Sequence, residues 1–122
     1  MIVALFRRRL RDNATFDDFI EAWEADRGFG VPARVFNAVS LTDPREVLSV
    51  GFVDVEPSAL DSLSADVADQ ESIRHSRIDE VIESTELRAF YDLRTEHDFT
   101  NDPTAIDVGA AASLLAGLLA ER

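Results

Sequence analysis

The 122-residue sequence contains no cysteine and no lysine. The absence of cysteine excludes disulfides, a thiolate nucleophile and cysteine-ligated zinc or iron–sulfur sites. Basic side chains are also scarce: twelve arginines stand against twenty-four acidic residues, and the net charge is -12. A charge of that sign repels phosphate backbones and anionic lipid surfaces, so we expect neither nucleic acid nor membrane as a partner.

Long apolar runs are missing as well. The longest, from Val108 to Ala120, is interrupted by Ser113 and falls short of the roughly 18 residues that a membrane-spanning helix needs. Near the N-terminus the apolar segment precedes the arginines at 7–9, whereas a secretory signal places its positive charges first. We therefore expect a mature, cytoplasmic protein without a membrane anchor.

What the sequence does contain is the pattern of one α+β domain over residues 1–122. It is 46% hydrophobic, with four prolines and five glycines, which is typical of a globular chain. Strand-like segments cover residues 2–10, 33–41, 47–55 and 86–94, as judged from their strand-forming residues and the turn-forming residues between them. Helices are predicted after the Thr15 cap, from Pro57 in two pieces of which the second runs from Gln70 to Ile82, and over about 103–121 behind Asp102 and Pro103.

The order β-α-β-β-α-β is that of the ferredoxin-like fold, a four-stranded antiparallel sheet with both main helices on one face. The first and third strands, however, carry apolar residues on both faces, which predicts that the second face is covered too. A second copy of the chain, packed face to face across a two-fold axis, is the expected cover. The alternative is that the C-terminal helix folds back over that face within one chain.

The element order, the helix from Thr15 to Trp23, the hairpin from Ala33 to Val55 and the closing strand from Ser84 to Tyr91 resemble the dimeric α+β barrel superfamily. Within it, the antibiotic-biosynthesis-monooxygenase-like proteins are the most similar group, over residues 2–95. The resemblance implies a homodimer with a pocket between sheet and helices in each subunit, holding a flat aromatic ligand. Some members oxidise such a compound with O₂ and without metal or flavin, and others catalyse different reactions or none known, so fold alone does not decide function.

Three polar side chains form the candidate catalytic set. His75 lies on a predicted helix; like His97, it has an unperturbed pKa near neutrality and could act as a general base. Asn37 is the one amide in an otherwise apolar strand, where a buried amide needs a partner or a ligand. Tyr91 carries the single phenolic hydroxyl, which could donate to a carbonyl oxygen or an enolate. Each has a structural alternative: a surface or satisfied histidine, an interface hydrogen bond, or core packing.

The predicted substrate-binding set is aromatic: Trp23, Phe36 and Phe52. Trp23 could stack on a planar ligand or pack in the core. Arg8 or Arg34 could bind a carboxylate, but twelve arginines among twenty-four acids usually form solvated ion pairs, so neither is assigned. We expect no metal, because the two histidines lack the spacing of metal ligands. No hydrolase motif and no phosphate-binding loop occur, so we expect neither a hydrolase nor a nucleotide-binding protein. We expect no cofactor.

Two functions from different classes stay open. The first is a cofactor-independent monooxygenase-like enzyme that acts on an aromatic or quinone-like compound. The second is a non-catalytic ligand-binding or homodimeric assembly module of the same fold. A deep cavity with convergent polar groups favours the enzyme, whereas a cavity filled by Trp23, Phe36 and Phe52 favours the module.

Overall fold

The computed structural model describes residues 1–108 and 113–120. The elements are β1 (Ile2–Leu10), α1 (Phe16–Trp23), β2 (Ala33–Val39), β3 (Glu46–Val53), a 3₁₀ turn (Pro57–Ala59), α2 (Leu60–Asp79), β4 (Ile82–Asp92), β5 (Glu96–Asp98), β6 (Thr104–Ile106) and α3 (Leu114–Ala120). Among these helices none combines the length and the apolar character needed to cross a bilayer.

The four long strands form one antiparallel sheet in the order β2-β3-β1-β4, and β5 pairs with β6 in a separate hairpin. The predicted α+β class and four-stranded antiparallel sheet are therefore confirmed, and the arrangement is compatible with a ferredoxin-like fold. The pairing of β1 with β4 shifts register twice, between Arg7 and Arg8 and between Arg9 and Leu10. Such bulges bend a strand and redirect its side chains.

Helix α1 begins as its sequence predicts. The Thr15 hydroxyl accepts a hydrogen bond from the Asp18 amide, and the Asp18 carboxylate accepts one from the Thr15 amide, which together form a capping box. The apolar side of α1 packs on one end of the sheet. The buried cluster there consists of Leu10, Phe19, Val47, Ile78 and Ile82.

Helix α2 is a single twenty-residue helix, so the predicted break before Gln70 is absent. Its apolar side chains are sparse, and Ile78 is the one that reaches the buried cluster. The predicted second helical piece also ends too late, because Ile82 already belongs to β4 and pairs with Leu10. The weak apolar pattern of α2 has a structural reason: much of the face toward the sheet borders a cavity instead of a packed core.

The prediction of one helix over residues 103–121 is wrong at its start. Thr104–Ile106 is strand β6, paired with β5, and Asp102 and Pro103 lie in the connection between the two strands. The local reason is the Asp98 carboxylate, which accepts a hydrogen bond from the Thr100 amide and starts the turn. The later helix α3 is capped by Ser113, whose hydroxyl accepts from the Ala116 amide. In α3, Leu119 is 6% exposed and Leu114 70% exposed. The sequence also predicts Ala111 on the apolar side of the C-terminal helix, but this residue lies outside the described residues.

The two faces of the sheet differ. One face, here called the inner face, lies under α1 and α2. The opposite, outer face carries an apolar set that β-strand alternation and the strand register place together: Val3, Leu5, Phe36, Leu48, Val50, Phe52, Leu87 and Tyr91. Phe36 and Tyr91 are 46% and 51% exposed. Helix α3 contacts the edge strand β2 but leaves these two aromatic side chains open.

Candidate active site

A cavity of about 520 Å³ lies between the inner face of the sheet and helix α2. Small residues make the space: Ala4 and Gly51 on the floor, and Ser64, Ala68 and Ser72 along α2. A Cβ atom at Gly51 would lie 3.6 Å from the side chains of Ala4 and Val35, an ordinary van der Waals distance, so the floor has room for a methyl group at this position. The volume falls within the roughly 300–1,000 Å³ of small-molecule pockets.

Arg8 lies in the floor of this cavity and is 4% exposed. Its neighbours in the sequence point to the outer face and pair with carboxylates, Arg7 with Glu86 at 3.4 Å and Arg9 with Asp43 at 2.8 Å. Arg8 has no ion pair with any carboxylate in the described part of the chain. Burial first, and then the nearby Arg74, lower the pKa of Arg8 to about 10, so the guanidinium is still charged at neutral pH.

A short hydrogen-bonded chain leads from Arg8 to Asn37. The Nη1 group of Arg8 donates to the Ser49 hydroxyl at 3.4 Å, and that hydroxyl donates to Asn37 Oδ1 at 2.6 Å. Asn37 and Ser49 face each other across the β2–β3 pair. The predicted need of Asn37 for a polar partner is thus met by a hydroxyl that itself borders the cavity.

His75 lines the cavity from α2. Its Nε2 atom lies 3.6 Å from Glu71 Oε2, one helical turn earlier. Burial is the largest cause and Arg74 the next in lowering the pKa of His75 below its ordinary value, so the imidazole is neutral at pH 7. Glu71 acts in the opposite direction, but it is hydrogen-bonded to Arg74, which offsets its charge.

Aromatic rings line the space between Arg8 and His75. Two guanidinium groups lie over the ring of Phe6: that of Arg8 is 4.8 Å from the ring centroid, and that of Arg88 is 5.5 Å from it. His75 and Phe90 both lie edge-on to the same ring, at 6.0 and 6.1 Å between centroids. Phe6 therefore connects the charged floor of the cavity with the histidine in its wall.

Helix α2 is also bonded to the segment in which α1 ends and residues 24–32 lead into β2. Arg74 donates to the Trp23 carbonyl at 3.3 Å, and its guanidinium lies 4.8 Å from the centre of the indole ring. Gln70 donates to the Gly28 carbonyl at 3.1 Å. Trp23 and Phe29 thereby become part of the cavity wall.

The charges that line the cavity are three arginines, Arg8, Arg74 and Arg88, against two carboxylates, Glu71 and Asp79. With a neutral histidine the wall carries a net positive charge, although the whole chain is at -12. Within residues 1–108 and 113–120, histidine and carboxylate side chains do not converge in a group of three or more that could hold a metal ion.

The structure brings three of the six predicted site residues together. Trp23 and His75 line the cavity, and Asn37 reaches it through Ser49. The other three, Phe36, Phe52 and Tyr91, lie on the outer face, where Phe36 and Phe52 pack edge to face with ring centroids 6.2 Å apart. His97 is exposed on strand β5, opposite Ala105.

Sequence reasoning did not assign the arginines. A signal for Arg8 exists, because it is in phase with Ile2, Ala4, Phe6 and Leu10 along β1 and therefore shares their face. The same alternation places Arg88 with Phe90 on β4. An arginine on the apolar face of a central strand is the unusual observation.

Comparison of the chain with protein-family models, with curated proteins and with solved structures finds no match. The resemblance to the dimeric α+β barrel proteins therefore stays a prediction from the sequence pattern, and the function is inferred from the cavity.

Proposed function

We propose that this protein is a small-molecule enzyme of the cofactor-independent monooxygenase-like type, which acts on a planar aromatic or quinone-like compound in the cavity beneath α2. The observation that carries the proposal is His75, a neutral histidine in the wall of an open, partly aromatic cavity with polar groups in its floor. Phe36 and Phe52 lie on the outer face and leave that cavity unfilled.

Proton removal is the step that His75 supports. A lowered pKa keeps the imidazole free to accept a proton from a phenol, an enol or an acidic CH group. After burial, the charges of Arg74, Arg8 and Arg88 lower the pKa of His75. The same positive charges favour the anion that proton removal creates in the substrate.

The oxygen step then uses the substrate anion, O₂ and the proton held by His75. An electron-rich enolate transfers one electron to O₂, and the two radicals combine as a peroxide anion, which takes the proton back from His75 to give a hydroperoxide. Loss of water converts the hydroperoxide to a carbonyl group, so an anthrone methylene and one O₂ give a quinone carbonyl and one H₂O. Trp23, Phe6 and Phe90 supply the aromatic surfaces against which a flat ring system can pack.

Oxidation of 1,8-dihydroxyanthrone in air tests the proposal, with O₂ uptake and anthraquinone absorbance as readouts and the protein-free rate subtracted. His75→Asn is expected to lower the protein-dependent rate at least roughly tenfold, about 1.4 kcal/mol. His97→Asn is the matched control, because this histidine lies exposed on β5, and it should keep the parental rate. Equal rates for the two variants would remove His75 from the site. Binding of the anthrone without protein-dependent oxidation would favour a non-catalytic binding module.

The proposal includes a homodimer in which the outer faces of two sheets pack together across a two-fold axis as a dimeric α+β barrel. The support is the apolar outer face, with Phe36 and Tyr91 about half exposed and α3 at the sheet edge. An exposed apolar face of this kind marks an interaction surface, and a two-fold axis lets one face complement itself.

Sedimentation velocity at micromolar concentration tests the dimer, and the expected mass is twice 13.5 kDa. Val50→Arg places a charge in the outer face and should give monomer or unfolded chain. Ile73→Arg makes the same kind of change at an exposed position of α2 and should leave the dimer intact. A parent protein that sediments as a folded monomer would contradict the dimer.

A further inference from the structure

In the chemistry proposed above Arg8 acts only through its charge, as one cause of the lowered pKa of His75, yet it is the most unusual side chain of the cavity. It is 4% exposed, and within the described chain it has a single hydrogen bond, to the Ser49 hydroxyl at 3.4 Å. A guanidinium carries five N–H donors, so four are left over. None of the Arg8 nitrogens is sealed in the protein without a partner, so Nε and Nη2, which have no hydrogen bond to any described residue, keep accessible surface beside the cavity that Arg8 lines.

An uncompensated buried charge is costly for a folded protein. Arg7 and Arg9 show that carboxylates are abundant around the same strand, since each forms an ion pair on the outer face. On the inner face, neither of the two acidic residues that line the cavity forms an ion pair with Arg8. Glu71 is bound to Arg74, and Asp79 acts on Arg8 at longer range, where it raises the pKa of Arg8 without forming an ion pair. An anion supplied by a ligand would therefore complete the Arg8 environment.

We infer that the substrate of the proposed enzyme is a planar aromatic monocarboxylate whose carboxylate is bound by Arg8. This inference rests on the proposed function and adds the chemical class of its substrate. A carboxylate matches the fork of a guanidinium, which binds it through two parallel hydrogen bonds. Phe6, next to the guanidinium, gives the attached ring an apolar surface.

The charge of the cavity favours a single negative charge on the ligand. Three arginines and two carboxylates line it, so one monoanion neutralises the wall. The chain as a whole carries -12, and its long-range field acts more strongly against a dianion such as phosphate than against a monoanion. In this arrangement Arg8 holds one end of the ligand, while His75 faces the ring system beyond Phe6.

Binding of a matched ligand pair tests the inference on the unaltered protein. The pair is anthraquinone-2-carboxylate and anthraquinone-2-carboxamide, which have similar shape and differ in charge. Trp23 is the only tryptophan and lines the cavity, so quenching of its fluorescence reports occupancy. We expect the carboxylate to bind at least roughly tenfold more tightly than the carboxamide, as a charged hydrogen-bonded pair predicts.

Two adjacent substitutions provide the variant and its control. Arg8→Gln should abolish the preference for the carboxylate and leave carboxamide binding in place. Arg7→Gln changes the neighbouring arginine on the opposite face of the same strand and should keep the preference. Equal affinity for the two ligands in the parent protein would overturn the monocarboxylate assignment and leave the proposed aromatic enzyme standing. Failure of both ligands to bind would overturn the proposed aromatic substrate and this inference with it.

Discussion

Replacement of Arg8 by methionine is expected to make the ligand-free protein more stable. The pKa of Arg8 is lowered to about 10, roughly 2.5 pKa units below ordinary arginine. At about 1.36 kcal/mol per pKa unit, burial and the charges around Arg8, of which Arg74 is the largest, together act with about 3 kcal/mol against the charged side chain. The methionine side chain keeps an apolar stem beside Phe6 and Phe19, which both lie close to the guanidinium.

The substitution also removes favourable contacts, and their size sets the net effect. The long hydrogen bond to Ser49 and the desolvated cation–π contacts with Phe6 and Phe19 together contribute roughly 2 kcal/mol. The free energy of unfolding should therefore rise by about 1 kcal/mol, and the melting temperature by roughly 3–6 °C. Exchange of an unpaired buried charge for an apolar side chain has effects of this order in other proteins.

Urea unfolding followed by circular dichroism measures this change, at one protein concentration because dimerisation contributes to stability. The control is Arg94→Met, at a position with 82% side-chain exposure, where we expect a change within about 0.5 kcal/mol. A loss of 1 kcal/mol or more in Arg8→Met, with the control neutral, would refute the reasoning. It would mean that the Arg8 guanidinium stabilises the ligand-free protein and needs no bound anion to offset its charge.

Three further outcomes are expected. Gly51→Val should fill the cavity floor and abolish quenching of Trp23 by anthraquinone-2-carboxylate, with an unchanged circular dichroism spectrum, because a Cβ atom at Gly51 stays at an ordinary van der Waals distance of 3.6 Å from the side chains of Ala4 and Val35; retained binding would place the ligand elsewhere. The pKa of His75 is lower in the folded than in the unfolded chain, so protonation of His75 favours unfolding. The free energy of unfolding should therefore fall as pH drops below about 6.5. In urea titrations at several pH values, His75→Asn should make the free energy of unfolding less dependent on pH. Thr15→Ala should cost about 1 kcal/mol in urea unfolding through loss of the capping box, and an unchanged midpoint would contradict that role.

Local signals predicted the elements with strong sequence patterns. Strand β1 lies where its strand-forming residues place it, and helix α1 where the Thr15 cap places it, because both signals act within a few residues. Asp102 and Pro103 misled for the same reason: their local preference fits a helix start as well as a turn, and the β5–β6 pairing decides between them. The extent of α2 could not be predicted from its apolar pattern, since Glu71, Ser72 and His75 face a cavity where apolar residues would otherwise lie.

The candidate site was predictable in part. His75 and Trp23 lie on helices whose faces follow from local spacing, and both line the cavity. Phe36 and Tyr91 lie on strands with apolar residues on both sides, where composition does not tell which side the helices cover. Arg8 was hidden in a run of three arginines that looks like a solvated surface patch, and only the strand alternation separates it from its neighbours.

The most direct test of the account is a crystal structure of the protein with anthraquinone-2-carboxylate. The account predicts the ring system between α2 and the inner face of the sheet, next to Phe6 and His75, with both carboxylate oxygens within hydrogen-bonding distance of the Arg8 guanidinium. A cavity closed by its own side chains, or a ligand bound only outside it, would contradict the account.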